Sequence, residues 1–333
     1  MRRRELVAGV AALLVAAQSA RSQPPRGLPI VALLNPSSQA LATLRADALR
    51  TGLGEAGLVE GTHYAMEVRF AAGRPERLPA LAQELHSLHP AVFVASGTLS
   101  GVLELQPRPP IVFAAIALDP VEWGLVESYV RPGGMMTGTV LNALGGEDTI
   151  AEKRVTLFKE CVAGLTRLGM FGSDVQLFRP SLFEKELRAA IRVSSRLRFE
   201  VREYGLKKID DLEPALASAA RDGIDGIYLS GGPLLISNLS RVMPSVLGAG
   251  KPTIAPYLEF ARAGIMMSYS ADLSDSVRRA GIYAGKVLLG AKPGDLPIQQ
   301  PTRFTLAINA KTAQQLGIGV PPTLLAQADE VIE

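Results

Sequence analysis

Pro29-Ile30-Val31-Ala32-Leu33-Leu34 is an apolar run with no alternation between polar and apolar faces. A strand of this kind is buried on both sides, the situation of a strand inside a parallel sheet covered by helices. The residues that follow agree, because Leu41, Leu44, Ala48 and Leu49 recur at the spacing of one helical stripe. Strand followed by helix is the repeating unit of α/β proteins, and the pattern continues outward from here.

Downstream, the periodicity predicts strands over 64–70, 91–95 and 111–117, with helices over 76–88 and 100–106 between them. A glycine-rich turn, Arg131-Pro132-Gly133-Gly134, leads into a further strand over 136–141, which completes one parallel unit. The pattern then restarts. Helices over 147–162, 182–196, 211–221 and 234–247 alternate with strands over 166–171, 197–202, 224–229 and 252–255. A strand over 264–269 follows, then a helix from 272 that stops near Gly290-Ala291-Lys292-Pro293. A strand over 304–308 and a helix over 311–316 come last. Two parallel α/β lobes with elements left over imply that the chain passes between lobes more than once.

Length and composition agree. At 333 residues the chain exceeds what one core usually serves, so two domains are expected. With 47% hydrophobic and 20% charged residues it is neither disordered nor fibrous. A lone cysteine, Cys161, excludes an intramolecular disulfide and a thiolate metal cage; at a helix end it reads as a small apolar filler.

Upstream, Arg2-Arg3-Arg4 precede twelve apolar residues, Leu6 to Ala17, and then Ala20-Arg21-Ser22. Charge, apolar stretch and small residues in that order read as a secretory signal over residues 1–22, and the arginines loosely resemble a twin-arginine motif. Twelve residues fall short of the ~20 needed to span a bilayer, so no membrane insertion is expected. No cysteine follows for a lipid anchor. The chain carries a net charge of +3, and Arg2, Arg3, Arg4 and Arg21 against Glu5 account for all of it. The remainder is neutral and offers nucleic acid no electrostatic footprint.

Reactive constellations are scarce. Gly52-Leu53-Gly54-Glu55-Ala56-Gly57 matches the dinucleotide pattern G-x-G-x-x-G, but that pattern works only directly after a strand. Here it falls at the far end of a helix and reads as a cap and turn, so no cofactor is expected. His63, His86 and His89 read as surface residues, and neither a nucleophile elbow nor a P-loop is present. With no catalytic or metal set, the chain reads as a binding protein rather than an enzyme.

Ligands of open α/β sheets bind at the carboxyl ends of strands. Ser96-Gly97-Thr98 stands at such an end, either as an anion site of hydroxyls and amides or as a simple cap. Asp119-Pro120 stands at another, where the carboxylate either caps the next turn or faces a ligand. Ser173, Ser230, Tyr257 and Tyr269 are the corresponding candidates from the second lobe, the tyrosines as stacking rings or as packing. Trp123 either lines the cleft or lies half-exposed on a helix.

The order of short motifs along the chain resembles one family. Gly73-Arg74-Pro75-Glu76-Arg77-Leu78, Ser96-Gly97-Thr98, Pro110-Ile111-Val112-Phe113, Asp119-Pro120-Val121 and Arg131-Pro132-Gly133-Gly134 carry the likeness in the first half. Met267-Ser268-Tyr269, Gln300-Pro301-Thr302-Arg303-Phe304 and Ala328-Asp329-Glu330-Val331-Ile332 carry it in the second. Together they resemble the ABC-transporter solute-binding proteins of the tryptophan/tyrosine type, from about Leu28 to the C-terminus. The resemblance implies a type I periplasmic-binding-protein fold, two Rossmann-like lobes hinged by three crossovers. Lobe one would hold residues 28–141 plus about 265–300, and lobe two 142–264 plus about 301–333.

It also implies a monomeric periplasmic receptor that encloses an amino acid or an aromatic or organic acid and passes it to a permease and its ATPase. Ser96, Gly97, Thr98 and Asp119 would hold the ligand's polar end, while Ser173, Ser230, Tyr257 and Tyr269 close from the other side. A receptor feeding a signalling protein and an α/β enzyme with an inter-lobe site are the alternatives. Trp123 replaces a small residue of the family, Met135 an asparagine, and Gly172-Ser173 an Asn-Pro pair, and these departures bear on ligand identity.

Overall fold

The computed structural model describes residues 27–141, 146–173 and 181–333. The expected export signal over residues 1–22 lies outside the described residues. In the first unit, β1 (Ile30–Asn35), α1 (Gln39–Glu55), β2 (Ala65–Phe70), α2 (Leu78–His86), β3 (Val92–Ser96), β4 (Ile111–Ile116) and β5 (Met136–Val140) follow one another. The strands form a parallel sheet in the order β2-β1-β3-β4-β5. The apolar run of β1 is buried on both faces. Val31 and Leu33 pack with Leu49 and Leu53 of α1, whereas Ala32 and Leu34 pack with Leu78 and Leu85 of α2. The helix expected over 100–106 is a series of turns. Gly101 there is left-handed (φ 75°), and any Cβ on it would meet Pro79 Cα at 2.5 Å.

The second unit holds α3 (Gly146–Cys161), β6 (Arg167–Ser173), α4 (Leu182–Leu197), β7 (Glu200–Leu206), α5 (Leu212–Arg221) and β8 (Gly226–Leu229). After these come α6 (Pro233–Ile236), α7 (Leu239–Gly248), β9 (Thr253–Ala255), α8 (Leu258–Arg262) and β10 (Met267–Ala271). The chain ends with α9 (Leu273–Leu288), β11 (Phe304–Asn309), α10 (Ala310–Gln315), α11 (Pro322–Gln327) and β12 (Glu330–Ile332). The sheet order is β12-β11-β10-β9-β8-β6-β7. Two expectations change here. The expected strand over 197–202 forms three residues later, as β7, because Arg198 takes a left-handed conformation that caps α4. The single helix expected over 234–247 is two, α6 and α7, divided at Ser237 and Asn238.

The boundary expected near 265 also moves. β10 belongs to the seven-stranded sheet and pairs with β9, while α9, directly after it, packs on α1 of the first unit. The chain therefore crosses after β5, after β10 and before β11. β10 leaves the second unit and β11 returns from the first, so the two enter the sheet from opposite directions. That is why β10 and β11 pair antiparallel in a sheet expected to be parallel throughout.

The crossings are tied together. Thr139 pairs with Gln299 in an isolated parallel bridge. The Thr139 hydroxyl donates to Ser276 O (3.0 Å) and accepts from Ser276 Oγ (2.8 Å) and from the Ala115 amide (3.1 Å). The Thr139 and Ser276 hydroxyls are withdrawn from water and satisfy one another.

Candidate ligand-binding cleft

The carboxyl ends of both sheets border a cavity of about 240 Å³. The β1 end contributes Asn35, Pro36 and Ser37. Asn35 is buried; its Oδ1 accepts from the Ser37 amide (2.8 Å) and its Nδ2 donates to Ser96 Oγ (3.4 Å). The β3 end contributes Ser96, Gly97 and Thr98. Gly97 turns the chain in the left-handed region (φ 69°), and Thr98 Oγ1 accepts from the Ser100 amide (3.1 Å). The capping reading of this loop is thus observed at Thr98, and an oxygen that caps a turn still keeps its own proton to donate.

The β4 end is irregular. Its pairing with β5 shifts register between Phe113 and Ile116, and Ala115 is left-handed (φ 53°). Bulges of this kind bend a strand and re-aim its side chains, and here Ala115, Ile116, Ala117 and Leu118 line the cavity.

From the second unit come Ser173 at the end of β6, Lys207 after β7, Ser230, Gly231 and Gly232 after β8, and Tyr257 after β9. The first turns of α4 add Ser181, Leu182, Phe183 and Lys185. Ser181 is a full N-cap: its side chain accepts from the Glu184 amide (3.1 Å), and Glu184 Oε2 accepts from the Ser181 amide (2.7 Å). A Cβ on Gly172 would strike the Phe183 ring at 2.2 Å, so this glycine lets Phe183 reach the wall.

Six of the eight candidate residues come together at the cavity: Ser96, Gly97, Thr98, Ser173, Ser230 and Tyr257. The structure does not bring Asp119 or Tyr269 to its wall. Asp119 Oδ1 accepts from the amides of Val121 (2.9 Å) and Glu122 (3.1 Å), the capping alternative. It also faces Tyr129, whose phenol is pushed up, by burial first and then by this carboxylate. Tyr269 stacks on Phe304 (5.9 Å between centroids) and its carbonyl accepts from Arg154 Nε (2.8 Å). Half-buried Trp123 does line the cavity.

Sequence reasoning passed over Asn35 and Ser37, although Asn35-Pro36-Ser37 follows the first strand and the rule applied to Ser96 covers it. Lys207 was hidden because the strand before it was placed too early. Arg45 had no local signal. It sits mid-helix in α1, 6% exposed, and its guanidinium reaches Glu259 Oε1 (2.5 Å) and Ser274 Oγ (3.2 Å).

Contacts also bridge the cleft rim. Lys185 Nζ meets Glu122 Oε2 (3.0 Å), and Asn238 Nδ2 donates to Gly73 O (3.3 Å). The polar wall is thus made of hydroxyls, amides and the cations Arg45, Lys185 and Lys207, beside rings and aliphatic chains. Such a wall offers donors to an anionic group and apolar surface to a ring.

Two α/β units bordering a shared cleft, joined by three crossings, define a type I periplasmic-binding-protein fold. Residues 31–332 match the family described as ABC transporter substrate binding protein, and the chain belongs to that family. A tyrosine-binding protein from Clostridioides difficile (strain R20291) is 26% identical over 214 residues, 62% of this chain and 56% of that protein, so the likeness spans little more than half of that relative.

A crystal structure from Streptococcus pneumonia, an ABC domain in complex with L-Trp, superposes with a TM-score of 0.79 at 21% identity, covering 92% of this chain and all of that one. A conserved domain protein from Vibrio cholerae O1 biovar El Tor gives the same TM-score at 23% identity, over 91% of this chain and 99% of that one. At these identities the structures share the fold. Among the described residues no helix is long and apolar enough to cross a membrane.

Proposed function

We propose that this protein is exported to the periplasm, captures a small amino acid or aromatic carboxylate between its lobes, and delivers it to a membrane permease. The observation that carries the reading is the cavity itself, walled from both sheets by hydroxyls, cations and rings. Ser96, Thr98, Ser230 and Lys207 hold the carboxylate, while Trp123, Phe183 and Tyr257 enclose the apolar part. The amino-acid relatives support this class of ligand.

No bond chemistry is required. A ligand shifts the open and closed forms only through its stronger binding to one of them, and contacts from both lobes exist together only in the closed form. Hydroxyls already oriented by caps need little reorganisation to meet the ligand.

The test is a thermal-shift screen of the protein from residue 23 onward against L-tryptophan, L-tyrosine and the corresponding aryl carboxylates without an amino group. A ligand at a hundred times its Kd raises stability by about 2.7 kcal/mol, a rise of several degrees. A flat response to the whole panel rejects the ligand class. A response to the aryl carboxylates alone narrows it to acids.

A further inference from the structure

The structure assigns a positioning role to Glu186, a carboxylate beneath the cleft that fixes the ligand-facing loop Ser230-Gly231-Gly232 through the Gly231 amide. Glu186 is 0% exposed and does not itself line the cavity. Its Oε1 accepts from the Gly231 N–H (3.3 Å), the Tyr228 hydroxyl (3.1 Å) and Arg154 Nη1 (3.3 Å). Arg154, 1% exposed, also donates to the Tyr228 hydroxyl and, from Nε, to Tyr269 O (2.8 Å). One oxygen therefore joins α4, α3, β8 and the loop that ends β8, and the arginine extends the tie to β10.

Burying an ion pair is poor evidence for stability, because desolvation offsets the attraction and apolar replacements often do as well. What the pair supplies here is direction. The Gly231 amide is turned to the buried carboxylate. The same peptide is confined from the other side, where a Cβ on Gly231 would meet the Tyr257 hydroxyl at 2.8 Å and Pro256 at 3.0 Å. With Gly231 held from below and beside, the buried hydroxyl of Ser230 and the start of α6 keep one orientation toward the cavity. Glu186 acts through this loop and touches no ligand. Its effect on affinity rests on the proposed ligand site, but its hold on Gly231 does not.

The experiment compares the wild-type protein with an Arg154→Met/Glu186→Met double variant and with Glu186→Gln, each labelled with 15N-glycine. The double variant removes both charges at similar volume, so a melting temperature near that of the wild type is expected. Exchange of the Gly231 amide is expected to rise at least tenfold, and affinity for L-tryptophan to fall at least tenfold, without a matching loss of melting temperature. Glu186→Gln keeps an acceptor oxygen and is expected to retain most of the protection. Its Gly231 proton should move upfield as the acceptor loses its charge.

Equal Gly231 exchange in the wild type and the double variant overturns the proposal. If the double variant does not fold, an unmoved Gly231 resonance in Glu186→Gln overturns it. If L-tryptophan fails to bind the wild type, it is not the ligand, and the Gly231 measurements still decide the role of Glu186.

Discussion

At the scale of single residues, a polar group at a strand end can cap its own backbone whether or not it stands on the cavity wall. Asp119 and Thr98 both cap, yet only Thr98 stands on the cavity wall. Asp119→Ala should therefore lower stability by about 1 kcal/mol, the usual net loss for a side chain hydrogen-bonded to a turn, and leave affinity for L-tryptophan unchanged. Chemical denaturation and titration of the same variant read the two effects separately.

Cys161 permits a second prediction. Burial, with the charge of Glu160, pushes its thiol up to about 11 from an ordinary value near 9. The folded state holds this proton more tightly than the unfolded one, so the contribution is complete below pH 9 and is lost as pH rises toward 11. The melting temperature of wild-type protein should fall more steeply across that window than that of Cys161→Ala. Iodoacetamide at pH 8 should label Cys161 slowly until the chain is unfolded.

At the scale of elements, one glycine of the G-x-G-x-x-G pattern, Gly52, has a packing role. The expected cap and turn applies only to Gly57 (φ 83°), since Gly52 and Gly54 lie inside α1. A Cβ on Gly52 would stand 1.8 Å from Arg278 O, and one on Gly281 would stand 2.4 Å from Leu49 O. These two glycines let α1 and α9 touch backbone to backbone. Gly52→Ala should cost about 3 kcal/mol, at the upper end for overpacking, because a backbone carbonyl cannot swing aside. Gly54, exposed and with open space around it, should gain about 0.5–1 kcal/mol when changed to Ala. The two melting temperatures should move in opposite directions. A sequence shows that a glycine is present, but whether its missing side chain makes room for a phosphate or a helix depends on an element more than 200 residues away.

At the scale of the whole molecule, the join between lobes rests on a few side chains. Arg45 of α1 and Glu259 of α8 form the most enclosed of the ion pairs across it, with side chains 7% and 19% exposed. Glu259→Gln leaves the guanidinium buried without its counter-charge, a loss on the order of 3 kcal/mol. The melting temperature and the affinity for L-tryptophan should both drop, and small-angle scattering should show a larger radius of gyration. An unchanged scattering profile with lower stability would place the pair in local packing alone.

The alternation of buried strands and amphipathic helices was legible along the chain, because burial on two faces leaves a continuous apolar run and burial on one leaves a helical stripe. The loops at strand ends were legible for the same reason, and Ser96, Thr98 and Ser230 follow from them. The partners across space were not. The reversal of β11, the assignment of β10 to the second sheet, the capping of Asp119, and the Arg45 and Glu186 contacts arise where segments distant in sequence meet. Periodicity records how much of each residue is buried, and only the folded chain records against what.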